Sequence, residues 1–216
     1  MTAFPWKAVA WDIDGTLVDS EPLHHRALLA TCAAQGLDLS SLPQSTFVGQ
    51  HMRDVWKALR SDLPAGLTEA EFHRQINGHY TAGAHGLTEI AGAVRAVRAL
   101  HTLGVAQVCA SNSDRAVVDT NLAALKIGTL MRGTVSLDDV HEGKPAPEPY
   151  LKAAALAGFA PSEILAVEDS LTGARSAQAA GMRVALLLPA GTPAPEGPVR
   201  PDYRITALDQ LPGLQR

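Results

Sequence analysis

Short, almost uninterrupted apolar runs are the feature that most restricts the fold of this chain. A strand buried on both faces of a parallel sheet is apolar at consecutive positions, whereas a half-buried strand alternates apolar and polar side chains. Segments with apolar residues at helical spacing lie between the runs, and several of them end at a glycine. Strands that alternate with helices predict a doubly wound parallel α/β sheet. The predicted strands are 8–11, 105–110, 164–167 and 184–188, with 203–205 as a weaker candidate, and the predicted helices are 91–103, 116–125, 148–157 and 173–180.

The segment 20–88 interrupts this alternation, because it contains three helical patterns and no strand pattern between them. We therefore predict a small all-helical cap domain inserted after the first strand, with residues 1–19 and 89–216 forming the α/β core. Open α/β folds bind ligands at the carboxyl ends of their strands, so we expect the cap above that edge of the sheet. The three helical patterns are 22–34, 54–63 and 69–80.

Length and charge exclude several classes of protein. A chain of 216 residues is long enough for one sizeable domain or one domain with an insertion. The net charge of -4 and the lack of a basic block argue against a nucleic-acid or membrane-surface partner. No stretch approaches the ~20 apolar residues of a membrane helix. The N-terminus lacks the features of a signal peptide, and Cys32 and Cys109 form no CxxC motif, so we expect a cytoplasmic protein with reduced thiols.

Two carboxylates, Asp12 and Asp14, follow the first predicted strand, and Gly15 comes directly after them. Because strand side chains alternate, residues two apart can leave a strand end on the same side. Two anions so close repel each other, and the pKa of one should rise unless a cation intervenes. The pair therefore indicates either a divalent metal or a division of roles between an ionised and a protonated carboxyl group.

Three further polar clusters follow in the sequence, two of them directly after predicted strands. Since parallel strands share one carboxyl edge, we expect these clusters to converge with the aspartate pair. Such a set suits phosphoryl transfer, because a carboxylate can attack phosphorus while hydroxyl, amide and ammonium groups hold the phosphate oxygens. Carboxylate oxygens also favour Mg²⁺. The clusters are Ser111-Asn112-Ser113, Gly143-Lys144-Pro145 and Glu168-Asp169-Ser170.

Together with Asp12-Ile13-Asp14-Gly15-Thr16, these clusters resemble the four motifs of the haloacid dehalogenase superfamily in order and spacing. The chain is most similar to the subgroup with a small helical cap after the first motif, which includes sugar-phosphate phosphatases, phosphoglycolate phosphatases and β-phosphoglucomutases. The resemblance implies a Rossmann-like core and a Mg²⁺-dependent phosphomonoester hydrolase that acts on a small phosphorylated metabolite through an aspartyl-phosphate. Asp14 favours phosphoester cleavage over carbon–halogen cleavage, because an alkoxide leaving group needs a proton whereas a halide does not.

The resemblance also implies a role for each matching residue. Asp12 matches the nucleophile, and Asp14 matches the general acid/base. The other matches form two sets: the metal ligands are Asp12, the backbone carbonyl of Asp14, Asp169 and Glu168, and the phosphate-binding residues are Ser111, Asn112, Lys144 and Gly15.

Three residues of the predicted cap are candidates for substrate contact. His24 matches a cap-hinge histidine, while Gly49 and Arg53 lie in a segment that resembles the specificity loop of the subgroup. Arg53 could bind a substrate carboxylate or a distal phosphate. A surface arginine on a helix is an equally good interpretation of that residue.

The same loop separates two activities. β-Phosphoglucomutases carry a lysine just before this glycine and an arginine three residues after it, where this chain has Val48 and Met52. A site that holds both ends of a bisphosphate needs cations there, so we prefer a phosphatase to a phosphomutase, although Arg53 lies one residue from the second position. A non-catalytic binding or regulatory protein is the third alternative, and competent residues at all catalytic positions argue against it. We expect a monomer or a weak homodimer.

Overall fold

The computed structural model divides the chain into two compact units, Met1–Asp19 with Thr88–Arg216, and Ser20–Leu87. The role of 20–88 as a cap domain stays a prediction, and each unit is described by itself. The structure describes residues 4–43, 46–47, 52–192, 197 and 199–215.

The first unit contains a six-stranded sheet whose strand pairs are all parallel. Its strands are β1 (Ala8–Trp11), β4 (Ala106–Ala110), β5 (Gly133–Val135), β6 (Ile164–Glu168), β7 (Arg183–Leu187) and β8 (Tyr203–Ile205), and a separate pair is formed by β2 (Val18–Asp19) and β3 (Thr88–Glu89). The spatial order is β5-β4-β1-β6-β7-β8. All residues of β1, β4 and β6 are buried, which explains why these strands are almost entirely apolar and agrees with the predicted α/β class.

Helices cover both faces of this sheet. They are α4 (Ala93–Thr102), α5 (Arg115–Leu125), α6 (Glu148–Ala157) and α7 (Leu171–Ala179). On one face, alanines of β1 pack with alanines of α6 and α7 in a single buried cluster. On the opposite face, Gln107 donates to the carbonyl oxygen of Val97 in α4 and accepts from the indole N–H of Trp11, both at 3.0 Å. This buried amide therefore has partners for both of its polar atoms, as burial of a polar group requires.

The strand order reverses at β1. The chain builds β4 and β5 on one side of β1 and then crosses to β6 on the other side. Ligand sites of open α/β sheets lie at such a reversal, outside the carboxyl ends of the strands. Asp12, directly after β1, donates its N–H to the carbonyl oxygen of Val167 at 2.9 Å, which ties the start of the following loop to β6.

A tight turn after β1 leads the chain out of the first unit. The N–H of Gly15 donates to the carbonyl oxygen of Val18, and the N–H of Leu17 donates to that of Ile13. Strand β2 then pairs antiparallel with β3, where the chain returns. These two-residue strands are too short to give a sequence pattern, and the sequence did not predict them.

The second unit is helical in the residues that the structure describes, with α1 (Glu21–Ala34), α2 (Met52–Leu59) and α3 (Glu69–Ala82). Helices α1 and α3 pack against each other, and the Trp56 and Phe72 rings lie 5.2 Å apart between α2 and α3. No helix in the described part of the chain is long and apolar enough to cross a membrane.

The prediction that the second cap helix extends from 54 to 63 is wrong at both ends. The helix begins at Met52 and ends at Leu59. Proline disfavours the helical conformation of the residue before it, so Pro64 prevents Leu63 from continuing a helix. The turn after α2 is held by the Arg60 guanidinium, which donates to the carbonyl oxygens of Leu63, Pro64 and Ala65.

Candidate active site

A buried lysine links two carboxylates at the carboxyl edge of β1 and β6. The Lys144 ammonium lies 2.6 Å from Asp12 Oδ1 and 2.6 Å from Glu168 Oε1. Asp12 is 7% exposed, Lys144 5% and Glu168 0%. Burial alone would lower the pKa of Lys144, but the two carboxylates raise it above its ordinary value, so the side chain stays an ammonium.

Two hydroxyl groups complete the surroundings of Glu168. Tyr150 donates its hydroxyl to Glu168 Oε1 at 2.6 Å, and Ser170 donates to Oε2 at 3.2 Å. Burial and the charge of Glu168 raise the pKa of Tyr150 well above its ordinary value, so the phenol keeps its proton and acts as a donor. Glu168 therefore anchors the lysine, and its own oxygens are held from both sides.

The backbone of Lys144 is held by Asn112. Asn112 Oδ1 accepts from the N–H of Lys144 at 2.7 Å, and Asn112 Nδ2 donates to the Lys144 carbonyl oxygen at 3.0 Å. The loop after β4 is thus fastened to the loop before α6. The predicted contact of Asn112 with phosphate stays a prediction, and the structure gives this side chain a role in placing the lysine.

Three carboxylates at this edge form a candidate metal centre. Asp12, Glu168 and Asp169 each offer an oxygen, and these oxygens all lie within 4.8 Å of one another. Asp12 Oδ2 is buried and has no hydrogen-bond partner among the residues that the structure describes. Burial raises the pKa of Asp12 well above 3.8 despite the opposing charge of Lys144, and burial with the charge of Glu168 raises that of Asp169 to about 6. One ammonium does not balance three carboxylates, so the residues fit a divalent cation.

Two glycines make room for these carboxylates. A Cβ at Gly15 would overlap Asp169 Oδ2, and Gly15 also has φ +82°. A Cβ at Gly173 would overlap the carboxyl group of Glu168. Thr16, whose hydroxyl donates to Asp169 Oδ1 at 3.3 Å, holds that carboxylate from the β1 side. The glycine directly after the aspartate pair is therefore required by the space that Asp169 occupies.

Asp14 has different surroundings, made of neutral donors on the β4 side. Ser113 and Ser111 donate to Asp14 Oδ2 at 2.8 and 3.2 Å, and Asn121 Nδ2 donates to Oδ1 at 3.0 Å. Ser111 is fully buried and also accepts from the N–H of Ser113 at 3.0 Å. The hydroxyl predicted to bind phosphate is thus placed against the carboxyl group of Asp14.

Four residues that contact the carboxylates had no predicted role: Thr16, Ser113, Asn121 and Tyr150. Thr16 and Ser113 were visible as members of the motifs. The sequence pattern could have indicated a role for Asn121, because it is a polar residue in the apolar stripe of a helix. No such pattern marks Tyr150, because a tyrosine among alanines is equally typical of an ordinary position in the hydrophobic core.

The candidate cap residues all belong to the second unit. The His24 ring lies against the Tyr80 ring, with their centroids 4.4 Å apart and their planes tilted by 34°. Arg53 is 75% exposed and lies 3.8 Å from a carboxylate oxygen of Glu69. Gly49 lies outside the described residues, as does Val48. Contact of these residues with substrate stays a prediction.

The sequence model of the haloacid dehalogenase-like hydrolase family matches residues 6–181. This match covers the carboxyl edge described above. The chain belongs to the haloacid dehalogenase-like hydrolase family.

Relatives of this hydrolase carry phosphatase names. It is 34% identical to the phosphoglycolate phosphatase of Cereibacter sphaeroides over 96% of its own length and 97% of the relative. It is 32% identical to hexitol phosphatase A of Escherichia coli, with 87% and 86% covered. Among solved structures, CbbY from Rhodobacter sphaeroides in complex with phosphate superimposes with a TM-score of 0.81 at 25% identity, covering 95% of this chain and 96% of that one. These matches confirm the predicted family and the prediction of a phosphatase-type enzyme.

Proposed function

We propose that this hydrolase is a Mg²⁺-dependent phosphomonoester hydrolase that cleaves a small organic phosphate through an aspartyl-phosphate. One observation carries the proposal: Asp12 is buried beside an ammonium, with Oδ1 bound to Lys144 and Oδ2 without a hydrogen-bond partner in the described part of the chain. A buried carboxylate oxygen without a partner is unfavourable unless a ligand completes it. A substrate phosphate would be that ligand: Asp12 Oδ2 would attack its phosphorus, and the Lys144 ammonium would bind its oxygens.

Asp12 and Asp14 take separate roles in this proposal. Asp12 attacks phosphorus, and the bond between phosphorus and the ester oxygen breaks. Asp14 donates a proton to the departing alkoxide and later takes one from the water that cleaves the aspartyl-phosphate. Lys144 and Ser111 would hold the phosphate oxygens during both steps.

The carboxylates of Asp12 and Asp169, with the backbone carbonyl of Asp14, would hold the Mg²⁺. Glu168 lies in the same cluster, and its oxygens also serve Lys144, Tyr150 and Ser170. When bound, Mg²⁺ supplies positive charge that reduces repulsion between the anionic phosphate and the carboxylates.

A pH dependence of metal binding tests this assignment without measuring activity. The pKa of Asp169 is raised from 3.8 to about 6, so the folded state holds this proton more tightly than the unfolded state. The protonated Asp169 therefore stabilises the fold fully below pH 3.8, and this stabilisation is lost as the pH rises through about 6. Mg²⁺ competes with this proton, so calorimetric titration should show tighter binding at about pH 7.5 than at about pH 5. An Asp169→Asn variant with the affinity and pH dependence of the wild type would contradict the assignment.

The substrate class rests on the relatives. Their names point to phosphoglycolate and to hexitol phosphates, which are small polar phosphate esters. We extend that class to this hydrolase, with a helical cap in residues 20–88 that closes over the substrate and excludes water.

The experiment is a panel of phosphate esters assayed with Mg²⁺ by release of inorganic phosphate. The panel contains phosphoglycolate, hexitol phosphates, sugar phosphates and p-nitrophenyl phosphate, and Asp12→Asn is the control. Hydrolysis by the wild type with a phosphoenzyme visible by mass spectrometry supports the proposal. Isomerisation of β-glucose 1-phosphate with a bisphosphate activator and no phosphate release would establish a phosphomutase instead. No turnover of any ester would favour a binding protein.

A further inference from the structure

The carboxyl group of Asp14 is held by a side chain from the middle of a helix. Asn121 lies 107 residues further along the chain, in the second turn of α5, and donates to Asp14 Oδ1 at 3.0 Å. Ser113, from the loop before that helix, donates to Oδ2 at 2.8 Å. Both oxygens of the carboxyl group therefore have a donor from the β4–α5 segment.

Asn121 occupies a position that packing alone would fill with an apolar residue. The buried residues of α5 are Val117, Val118, Asn121, Leu122 and Leu125, and Asn121 is the polar one among them. Its side chain is fully buried. Asparagine is a poorer helix former than leucine, and a buried amide costs free energy unless it is hydrogen-bonded. The bond to Asp14 gives the amide a partner at this place.

The chemistry of the two donors fixes how Asp14 is held. The NH₂ group of a side-chain amide is only a donor, so the oxygen that it faces acts as an acceptor. A serine hydroxyl can donate or accept. Oδ1 is thus held as an acceptor, whereas Oδ2 faces hydroxyl groups that remain compatible with either protonation state of that oxygen.

We propose that Asn121 and Ser113 are positioning residues that orient the carboxyl group of Asp14 for proton transfer to the leaving group. The inference rests on the proposed function, because it assigns a means of orientation to the same general acid. Asn121 acts through Asp14 and does not itself touch substrate. Ser111 shares Oδ2 with Ser113, but its predicted phosphate contact makes it a poor probe of orientation alone.

The test compares two aryl esters of nearly equal size. p-Nitrophenyl phosphate has a good leaving group that departs without a proton, whereas phenyl phosphate has a poorer one that needs it. The kcat/KM of each ester reports the steps up to release of the phenol, so a slow second step does not interfere. The variant is Asn121→Leu, which keeps the approximate size of the side chain and removes the donor. Thr120→Val, on the neighbouring residue of α5, is the matched control.

Loss of orientation should affect the two esters unequally. Since general acid catalysis contributes about 10²–10⁴-fold, we expect Asn121→Leu to lower kcat/KM for phenyl phosphate roughly 10-fold more than for p-nitrophenyl phosphate. Thr120→Val should leave the ratio of the two values at that of the wild type. Ser113→Ala should change the ratio in the same direction, and it serves as the test if Asn121→Leu does not fold.

The outcomes separate this inference from the proposed function. A wild type that cleaves neither ester with Mg²⁺ removes the proposed function and the inference together. A wild type that cleaves both, with an equal loss for both esters in Asn121→Leu and in Ser113→Ala, overturns the inference and leaves the proposed function standing. A gain in kcat/KM for phenyl phosphate would also overturn it, because Asn121 would then hold Asp14 away from the leaving group.

Discussion

The two aspartates after β1 are separated by one residue, yet their side chains lie in opposite surroundings. Asp12 belongs to an ionic region with Lys144 and Glu168, in which all three side chains are buried. Asp14 belongs to a neutral region, where its half-buried carboxyl group accepts from Ser113 and Asn121. The strand period brings both to the edge of the sheet, and the neighbouring strands decide what each one meets.

This difference matches two chemical tasks. A buried carboxylate bound to a fixed cation is held in one direction, as a nucleophile must be. A carboxyl group that accepts hydrogen bonds from hydroxyl and amide donors is oriented by them, as suits a group that gains and loses a proton. The predictions below test how far the two regions act independently of each other.

Substitution of each aspartate by asparagine should give the largest contrast. Asp12→Asn removes the attacking oxygen, and we expect activity to fall by about 10⁴-fold or more, as when the nucleophile of a coupled catalytic group is lost. Asp14→Asn should lose about 10²–10⁴-fold, the usual contribution of a general acid/base. Mass spectrometry after acid quenching should detect a phosphoenzyme from p-nitrophenyl phosphate in Asp14→Asn and none in Asp12→Asn. Equal loss of phosphoenzyme in both variants would contradict the division of roles.

Removal of the ammonium should disturb the ionic region alone. Lys144→Met leaves Asp12 and Glu168 buried without a cation, and breaking a buried pair in this way costs about 3–5 kcal/mol. The free energy of unfolding in urea measures the loss. Lys152→Met is the control, because Lys152 pairs with Glu148 on the surface, where such a pair contributes about 0–1 kcal/mol. Similar losses in the two variants would show that Lys144 does not hold the buried carboxylates together.

A pair of glycines with the same backbone conformation tests whether the turn after β1 serves the metal. Gly15 and Gly36 both have φ +82°, but a Cβ at Gly15 would overlap Asp169, whereas one at Gly36 would meet no atom of the described residues within 4 Å. Alanine at either site carries similar strain, about 1–2 kcal/mol in the left-handed region. Gly15→Ala should also weaken Mg²⁺ binding by roughly 10–100-fold, as changes around metal ligands do, and calorimetric titration measures it. Unchanged Mg²⁺ affinity in Gly15→Ala would show that the Asp169 side chain can move away from the added Cβ without weakening Mg²⁺ binding.

The sequence predicted the central strands and the motifs at their ends, but it did not predict an edge strand or which side chains hold the carboxylates. Strands β1, β4 and β6 were predicted because burial on both faces makes them mostly apolar, and the polar motifs at their ends are local. Strand β5 was not predicted, since it lies at the sheet edge and its Gly133 and Thr134 are only half buried. Two of the donors, Asn121 to Asp14 and Tyr150 to Glu168, lie within helices, and a single polar residue in a helix does not reveal its partner.

Removal of one hydroxyl from each region should give the smallest effects. Tyr150→Phe leaves the fully buried Glu168 with one donor fewer, and loss of a bond to a buried charged group costs about 1.5–3 kcal/mol. Ser113→Ala removes a bond to Asp14, which is only half buried, so we expect about 0.5–1.5 kcal/mol. Urea unfolding at one pH measures the loss in the free energy of unfolding for each variant. Tyr203→Phe, at a half-buried ring on β8, is the control for removal of a phenol hydroxyl. A greater loss in the free energy of unfolding for Ser113→Ala than for Tyr150→Phe would mean that the stronger hydrogen bonds lie in the neutral region. Asp14 would then be held more firmly than a group that transfers a proton requires.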